Sequence, residues 1–445
     1  MKKMLLSVVA VAALFVAGTA NAQEGFQYRR SSLATIMLDT HDGTLEAQAG
    51  IKKVLVETYN AKPTPDKYND HNLKVRSLDA RKLPAVTKEE IAVYEKSGAM
   101  AAVTKAAKSA TSVKTDAEYI AQLMKWMEQN HVAGQMVSKW FDISSTPKAD
   151  GNFWSLSLIA ERGLKGYSAE EIQAAKEAKG GENKLINGAI FDLIPNTFLA
   201  VTRYSFTSAE EIIELTAGPV VMANAQSSNP LVAKGAILVL EGLKKTIQGY
   251  FVNTKTYLFQ MDWSAEKFEE FGTVLASNDG KKINSFVNSS AFTMKYVGQT
   301  SKFAPACMTV SLNDQSKELI KRATLRSTDA VIAKLQQEYD VFKTLAPIYI
   351  EGNDITALIG MNEGLEGGEK FEVLELSIDD KTGQTVAKAV QKITAIKGKV
   401  WDNRAGAAEE AAEKKEGEDA AALGKTYFKG KAKKLMPGMF IRQIK

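Results

Sequence analysis

The spacing of apolar positions changes several times along this chain, and each change marks an element. Leu33 to Leu38 is a short continuous apolar run that predicts a buried strand, closed by the polar turn Asp39-Thr40-His41-Asp42-Gly43. From Leu45 to Tyr59 the spacing turns helical, with Ile51, Val54, Leu55 and Tyr59 on one face, until Lys62-Pro63-Thr64-Pro65 stops it. The strongest stripe follows Thr115: Ile120, Leu123, Met124 and Met127, extended by Val137, Trp140 and Phe141 after a break near His131 to Gly134. Capping boxes at Thr87/Glu90, Thr115/Glu118, Ser168/Glu171 and Ser208/Glu211 mark helix starts, because the hydroxyl satisfies an orphan N–H while the carboxylate reaches back. Gly98 to Val113, rich in Ala, Ser, Thr and Lys, reads as a connection.

Farther on, Phe153 to Ala160 predicts a strand that closes on Glu161-Arg162-Gly163, with a helix after it and a Gly-Gly break at 180–181. Thr197 to Phe206 alternates Phe198, Ala200, Thr202, Tyr204 and Phe206 against Leu199, Val201 and Arg203, the pattern of a strand covered on both faces. A helix over Leu231 to Tyr250 and a strand over Asn253 to Trp263 follow, then a turn at Asn278-Asp279-Gly280. Phe292 to Thr300 predicts a strand, and Ser327 to Thr344 an amphipathic helix. Beyond Pro347 the elements become short strands: Thr356 to Ile359, Phe371 to Ile378, Thr385 to Ile396 and Met439 to Ile444. Ala405 to Gly424 interrupts them with almost no bulky apolar side chain, so it reads as a solvated loop whose deletion should leave thermal stability nearly unchanged.

The fold class that follows is α+β or mixed α/β: a helix-and-strand core, then a small C-terminal β-barrel or sandwich. The expected division is a helix-rich α/β region at 23–150, a central α/β domain at 151–346, and a small β domain at 347–445 carrying the charged loop 405–424.

Residues 1–22 read as an export signal rather than as fold. Lys2 and Lys3 precede an apolar run from Leu5 to Val16, and Ala20-Asn21-Ala22 supplies small residues for cleavage between Ala22 and Gln23. The run is too short for a bilayer core, which needs about 20 residues. No cysteine follows it, so the expected address is the periplasm or the outer membrane's surface, without a lipid anchor. Losing Lys2 and Lys3 lowers the formal charge from +5 to +3, and both signs are interspersed, which argues against nucleic-acid or polybasic membrane binding. Cys307, the single cysteine, permits no internal disulfide and reads as a small hydrophobe.

Candidate chemistry is sparse. His41, His71 and His131 have no partner at metal-ligand spacing, and neither a nucleophile elbow nor a glycine-rich dinucleotide loop is present. No cofactor is therefore expected. Gly424-Lys425-Thr426 imitates the end of a phosphate loop, but Asp419 stands where the first glycine belongs. Asp39 and Asp42, at a strand end, are polar-site candidates that equally fit hydrogen bonding to the local turn. Glu161 and Arg162 are candidates for holding a polar ligand, with a structural ion pair as the alternative. Trp126, Trp140, Trp154, Trp263 and Trp401 read mainly as core, although exposed Trp263 or Trp401 would suit glycan stacking.

Val137-Ser-Lys-Trp-Phe141, Glu161-Arg-Gly163, Asn196-Thr-Phe-Leu199, Gly360-Met-Asn-Glu-Gly364 and Gly368-Glu-Lys-Phe371 resemble phrases of uncharacterised exported envelope proteins of Bacteroidetes. That resemblance implies export and assigns no catalytic residue. Gly368, Asp380 to Gly383 and Pro437-Gly438 make the tail similar to small β-barrel domains of envelope assembly factors, which implies a binding module. The expected function is thus an exported, non-catalytic scaffold or adaptor with an envelope protein as its partner. The alternative is a periplasmic hydrolase or a binder of small ligands or glycans.

Overall fold

Leu33 to Leu38 is the centre of the first strand, β1 (Ser32–Asp39), and almost every residue of it is buried. The computed structural model describes residues 31–40, 49–65, 67–95, 114–164, 181–208, 250–307, 314–378, 385–404, 423–436 and 439–444, with a few isolated positions between them. β1 is flanked on one side by two short parallel strands, β2 (Asn69–Asp70) and β3 (Ser77–Asp79), and on the other by parallel β4 (Thr197–Ser208). Antiparallel β5 (Tyr250–Asp262) and β6 (Thr293–Cys307) complete a mixed sheet in the order β2-β1-β4-β5-β6, with β3 beside β1. Because β1 comes from the first 150 residues and β4 from the stretch after them, both regions share one sheet.

Helices cover both faces, which is why the inner strands are apolar on both sides. The helices are, in chain order, α1 (Ala49–Ala61), α2 (Lys88–Glu95), α3 (Asp116–Gln129), α4 (Val132–Trp140), α5 (Ser157–Leu164), α6 (Gly181–Leu193), α7 (Ala265–Ala276), α8 (Gly280–Val287) and the long α9 (Asp314–Glu338). Of these, α1 and α9 pack on the face built by Leu33, Phe198, Ala200, Tyr204 and Leu258. The opposite face, with Ala34, Ile36, Leu199, Val201, Tyr257 and Phe259, packs on the apolar stripe of α3 and α4. His131, in the left-handed region at φ 48°, makes the break between those two helices. Gly134 lets α4 touch α8: a Cβ there would stand 1.7 Å from the Val287 carbonyl oxygen.

The capping box at Thr87 forms, its hydroxyl accepting the Glu90 N–H while the Glu90 carboxylate accepts the Thr87 N–H, and Thr115 caps α3 by accepting the Glu118 N–H. The segment Phe153 to Ala160 is a correction. It is not a strand; it runs irregularly into α5, whose Ile159 and Gly163 meet the core and α6. An eight-residue apolar run fits period 2 as well as period 3.6, and the neighbouring helix decides. The leader with Ala22 and Gln23, the Gly98–Val113 connection, the box at Ser168/Glu171, Glu211, most of the Leu231 helix up to residue 249, the 380–383 turn, Pro437-Gly438 and most of the charged loop lie outside the described residues.

The tail is a closed antiparallel barrel of six strands: β7 (Ala346–Glu351), β8 (Asp354–Ala357), β9 (Lys370–Ile378), β10 (Thr385–Ala395), β11 (Thr426–Lys429) and β12 (Phe440–Ile444), in the order β10-β11-β8-β7-β12-β9. Its interior is filled by side chains including Ile348, Ile355, Phe371, Val373, Ile393 and Phe428. A barrel of this size closes on its own side chains, so it is a packed core rather than a pore. The protein is α+β with a small C-terminal barrel. No helix among the described residues is long and apolar enough to cross a membrane.

Candidate ligand cleft

Where the barrel meets the mixed sheet, one short segment organises both. After Pro63 and Pro65 end α1, the chain turns, and the Lys67-Tyr68-Asn69-Asp70-His71-Asn72 stretch runs along the edge of β1. Tyr68 is fully buried; its ring stacks on Phe342 at 5.0 Å, its hydroxyl donates to the Phe342 carbonyl, and it accepts from Gln336 at 2.7 Å. Asn72 accepts the Thr35 N–H at 2.8 Å and donates to Thr64, which fixes the segment against β1.

On the barrel side, the turn Met361–Glu363 lies against α9. The Asn403 side chain holds that turn from within the barrel, accepting the Asn362 N–H at 2.8 Å and donating to the Glu363 carboxylate at 2.9 Å. The Asn362 side chain reaches Asp329 of α9. Asp329 also accepts from Lys62 at 2.6 Å, a nearly buried pair tying the end of α1 to α9. Burial raises the Asp329 carboxyl above the usual range despite the Lys62 ammonium beside it.

Between the modules lies a cleft of about 270 Å3. Ser31, Asn196 and Gln260 line it from the sheet, and Lys67, Lys343 and Arg442 bring positive charge. Leu374, Leu376 and Ala387 of β9 and β10 form an apolar wall, continued by Leu345. Two of the three cations have close carboxylates: Lys343 with Asp340 at 2.6 Å and Arg442 with Glu372 at 2.6 Å. Lys67 differs. Its Nζ sits 4.0 Å from the Glu363 carboxylate and 3.4 Å from the Gln336 carbonyl oxygen. Its side chain is only 17% exposed, and burial lowers its pKa below the usual lysine value, with Glu363 opposing the shift.

Arg162, expected at a strand end, sits on α5 and is turned inward. It donates to the Asp70 carbonyl at 2.7 Å, to the Ser32 hydroxyl and to His71 Nδ1 at 3.2 Å, and its guanidinium lies 4.8 Å from the centre of the Trp140 ring. His71 is fully buried and stacked on the same indole at 4.9 Å. Its Nε2 faces the Met136 carbonyl oxygen at 2.9 Å, an acceptor only, while its Nδ1 faces a guanidinium, a donor only. The neutral tautomer with hydrogen on Nε2 is therefore imposed. Burial pushes the imidazole pKa down to about 3, and Arg162 adds to the depression. Arg162 thus binds main chain, a hydroxyl and an imidazole. Glu161, one position earlier on the helix, is exposed. Asp39 pairs with Lys52 of α1 at 2.8 Å, and Asp42 lies outside the described residues.

A second charged centre lies on the α3 face. Asp116, in the first turn of α3, accepts from Lys255 at 2.6 Å, Tyr257 at 2.8 Å and Arg203 at 3.2 Å. Burial pushes its carboxyl up, but these three partners outweigh that and hold it below the usual range. Trp126, Trp140 and Trp263 are buried, and Trp154 and Trp401 are half-buried, so Trp263 offers no stacking platform. Among the described residues, no group of three or more His, Cys, Asp or Glu side chains is arranged to hold a metal ion.

The cleft residues escaped sequence reasoning because Lys67, Lys343 and Arg442 lie in three separate parts of the chain and resemble any surface cation. His71 had a weak signal, a lone histidine in a polar run beside a strand edge. No family model matches the chain, and no curated protein matches it.

Proposed function

We propose that this is an exported, non-catalytic cell-envelope protein that acts as a scaffold or adaptor, presenting a small barrel on a mixed-sheet base. The observation that carries this reading is the junction. The barrel's 361–363 turn is hydrogen-bonded from both sides, by Asn403 of its own module and through Asn362 to Asp329 of α9. The buried polar groups hold the fold together: Asp116 ties α3 to the sheet, and Arg162 with His71 ties α5 to the β1 edge. Such positions suit a protein whose task is to hold surfaces in register.

The leader supports export to the periplasm or the outer-membrane surface. Fractionating cells that express the full chain and sequencing the N-terminus of the product tests the address; the expected result is a chain beginning at Gln23 outside the cytoplasm. Crosslinking intact envelopes should then join the tagged protein to one stoichiometric envelope protein. An uncleaved cytoplasmic chain overturns the export reading, and an exported chain with no crosslinked partner overturns the adaptor role. One observation favours the binding alternative as a second reading: the junction encloses a cleft with an unevenly partnered lysine.

A further inference from the structure

We propose that the junction cleft binds a small monocarboxylate with an apolar chain, Lys67 meeting the carboxylate and the β9–β10 wall covering the chain. This rests on the reading that the two modules are joined at the turn 361–363, since the cleft exists only between them.

Charge selects an anion. Among the described residues, Lys67, Lys343 and Arg442 line the cleft against Asp340 as its one carboxylate. Lys343 and Arg442 are each neutralised by a carboxylate at 2.6 Å. Lys67 has three N–H donors, yet its partners are a carboxylate oxygen at 4.0 Å and an amide oxygen at 3.4 Å. A buried charge with poor partners is costly, and a ligand oxygen at ordinary hydrogen-bond distance relieves that cost. One under-partnered ammonium matches one negative charge, so a monocarboxylate fits better than a phosphate dianion.

Shape selects the rest of the ligand. Leu374, Leu376 and Ala387 face the cleft from the barrel, so an apolar body gains by leaving water there. About 270 Å3 holds roughly nine groups of water size at about 30 Å3 each, the bulk of an eight-carbon acid.

Isothermal titration of the purified mature chain compares three probes: octanoate, octanol and inorganic phosphate. Octanoate should bind, octanol at least tenfold more weakly for want of the charge, and phosphate not measurably for want of the chain. Lys67→Met should weaken octanoate binding at least tenfold. Ala387→Trp, from an exposed strand position, should block the cleft to a similar extent, whereas Lys433→Met on the exposed 432–434 turn should bind as the parent does. No octanoate binding, equal binding of octanol, or an unaffected Lys67→Met protein would overturn the proposal. If Lys67→Met does not fold, Ala387→Trp and the octanol comparison still decide. Urea unfolding of the parent separates the two failures. Independent melting of barrel and base removes the joined-module reading, whereas a single transition without octanoate binding refutes the ligand alone.

Discussion

Replacing Trp140 with alanine tests a buried side chain on which Arg162, His71 and Thr197 converge. The indole is fully buried at the end of α4, under the Arg162 guanidinium at 4.8 Å and beside the His71 ring at 4.9 Å. Its Nε1 donates to the Thr197 hydroxyl at 2.9 Å, at the first residue of β4. Removing a buried tryptophan costs about 3–5 kcal/mol in lost transfer and cavity formation. The stacked guanidinium adds about 0.5–2 kcal/mol and the hydrogen bond about 1 kcal/mol, though neighbours sharing one site do not sum fully. The expected loss is about 5 kcal/mol, enough to unfold much of the α/β base if its stability is ordinary. Trp140→Phe keeps a ring under Arg162 and drops only the N–H and part of the volume, so about 2 kcal/mol is expected. Urea unfolding followed by far-UV circular dichroism measures both without depending on tryptophan emission. A Trp140→Ala loss below about 2 kcal/mol, or a Trp140→Phe loss equal to it, would refute this account of the junction between α4, α5 and β4.

Three further perturbations address other joints. Gly134→Ala should raise helix propensity by about 1 kcal/mol in isolation, yet its Cβ meets the Val287 carbonyl oxygen at 1.7 Å; a net loss of at least about 2 kcal/mol in urea unfolding is expected. Asp116→Asn removes the carboxylate shared by Lys255, Arg203 and Tyr257, all largely buried, and should cost about 3–5 kcal/mol by the same assay. His71 is neutral in the fold with a pKa of about 3 against about 6.5 unfolded, so the unfolded chain takes up the proton first and the stability from the neutral ring is lost as pH falls below about 6.5. Between pH 8 and pH 5 the stability advantage of the parent over His71→Gln should shrink by about 2 kcal/mol; a constant difference would show that the ring protonates as easily in the fold.

Much of the architecture was readable because it depends on period alone. The alternation from Phe198 to Phe206 demanded cover on both faces, and α9 with α1 supplies one cover and α3 the other. Thr115 and Thr87 cap helices by a bond that needs only local sequence. The strands read over Phe371 to Ile378 and Thr385 to Ile396 form as β9 and β10, and they pair antiparallel. Sequence failed where neighbours decide. Phe153 to Ala160 is apolar enough for either period, and its packing against α6 and α7 settled it as irregular chain and helix. β7 and β11 were not read as strands from the sequence, and closure of the barrel gives each a partner on both edges.

The candidate cleft was illegible for a different reason: what sets Lys67 apart from the other two cleft cations is that its carboxylate neighbour, Glu363, stands 4.0 Å away rather than 2.6 Å, and that is a property of space. Lys343 and Arg442 bear the same charge, but Asp340 lies three residues from Lys343, and Glu372 stands across the β9–β12 pairing from Arg442. Lys67 follows two prolines and precedes Tyr68, whose buried ring and hydroxyl set where the lysine emerges. The same turn that seals the core with Tyr68 therefore aims an ammonium into the junction. Arg162 is the converse case: a cation conspicuous in the sequence, whose Nη1 and Nη2 donate to the Asp70 carbonyl, the Ser32 hydroxyl and His71 within the fold. In both, the carbonyls and carboxylates that come within 4 Å on folding, rather than the residue type, determine whether a buried cation can serve a ligand or only the fold.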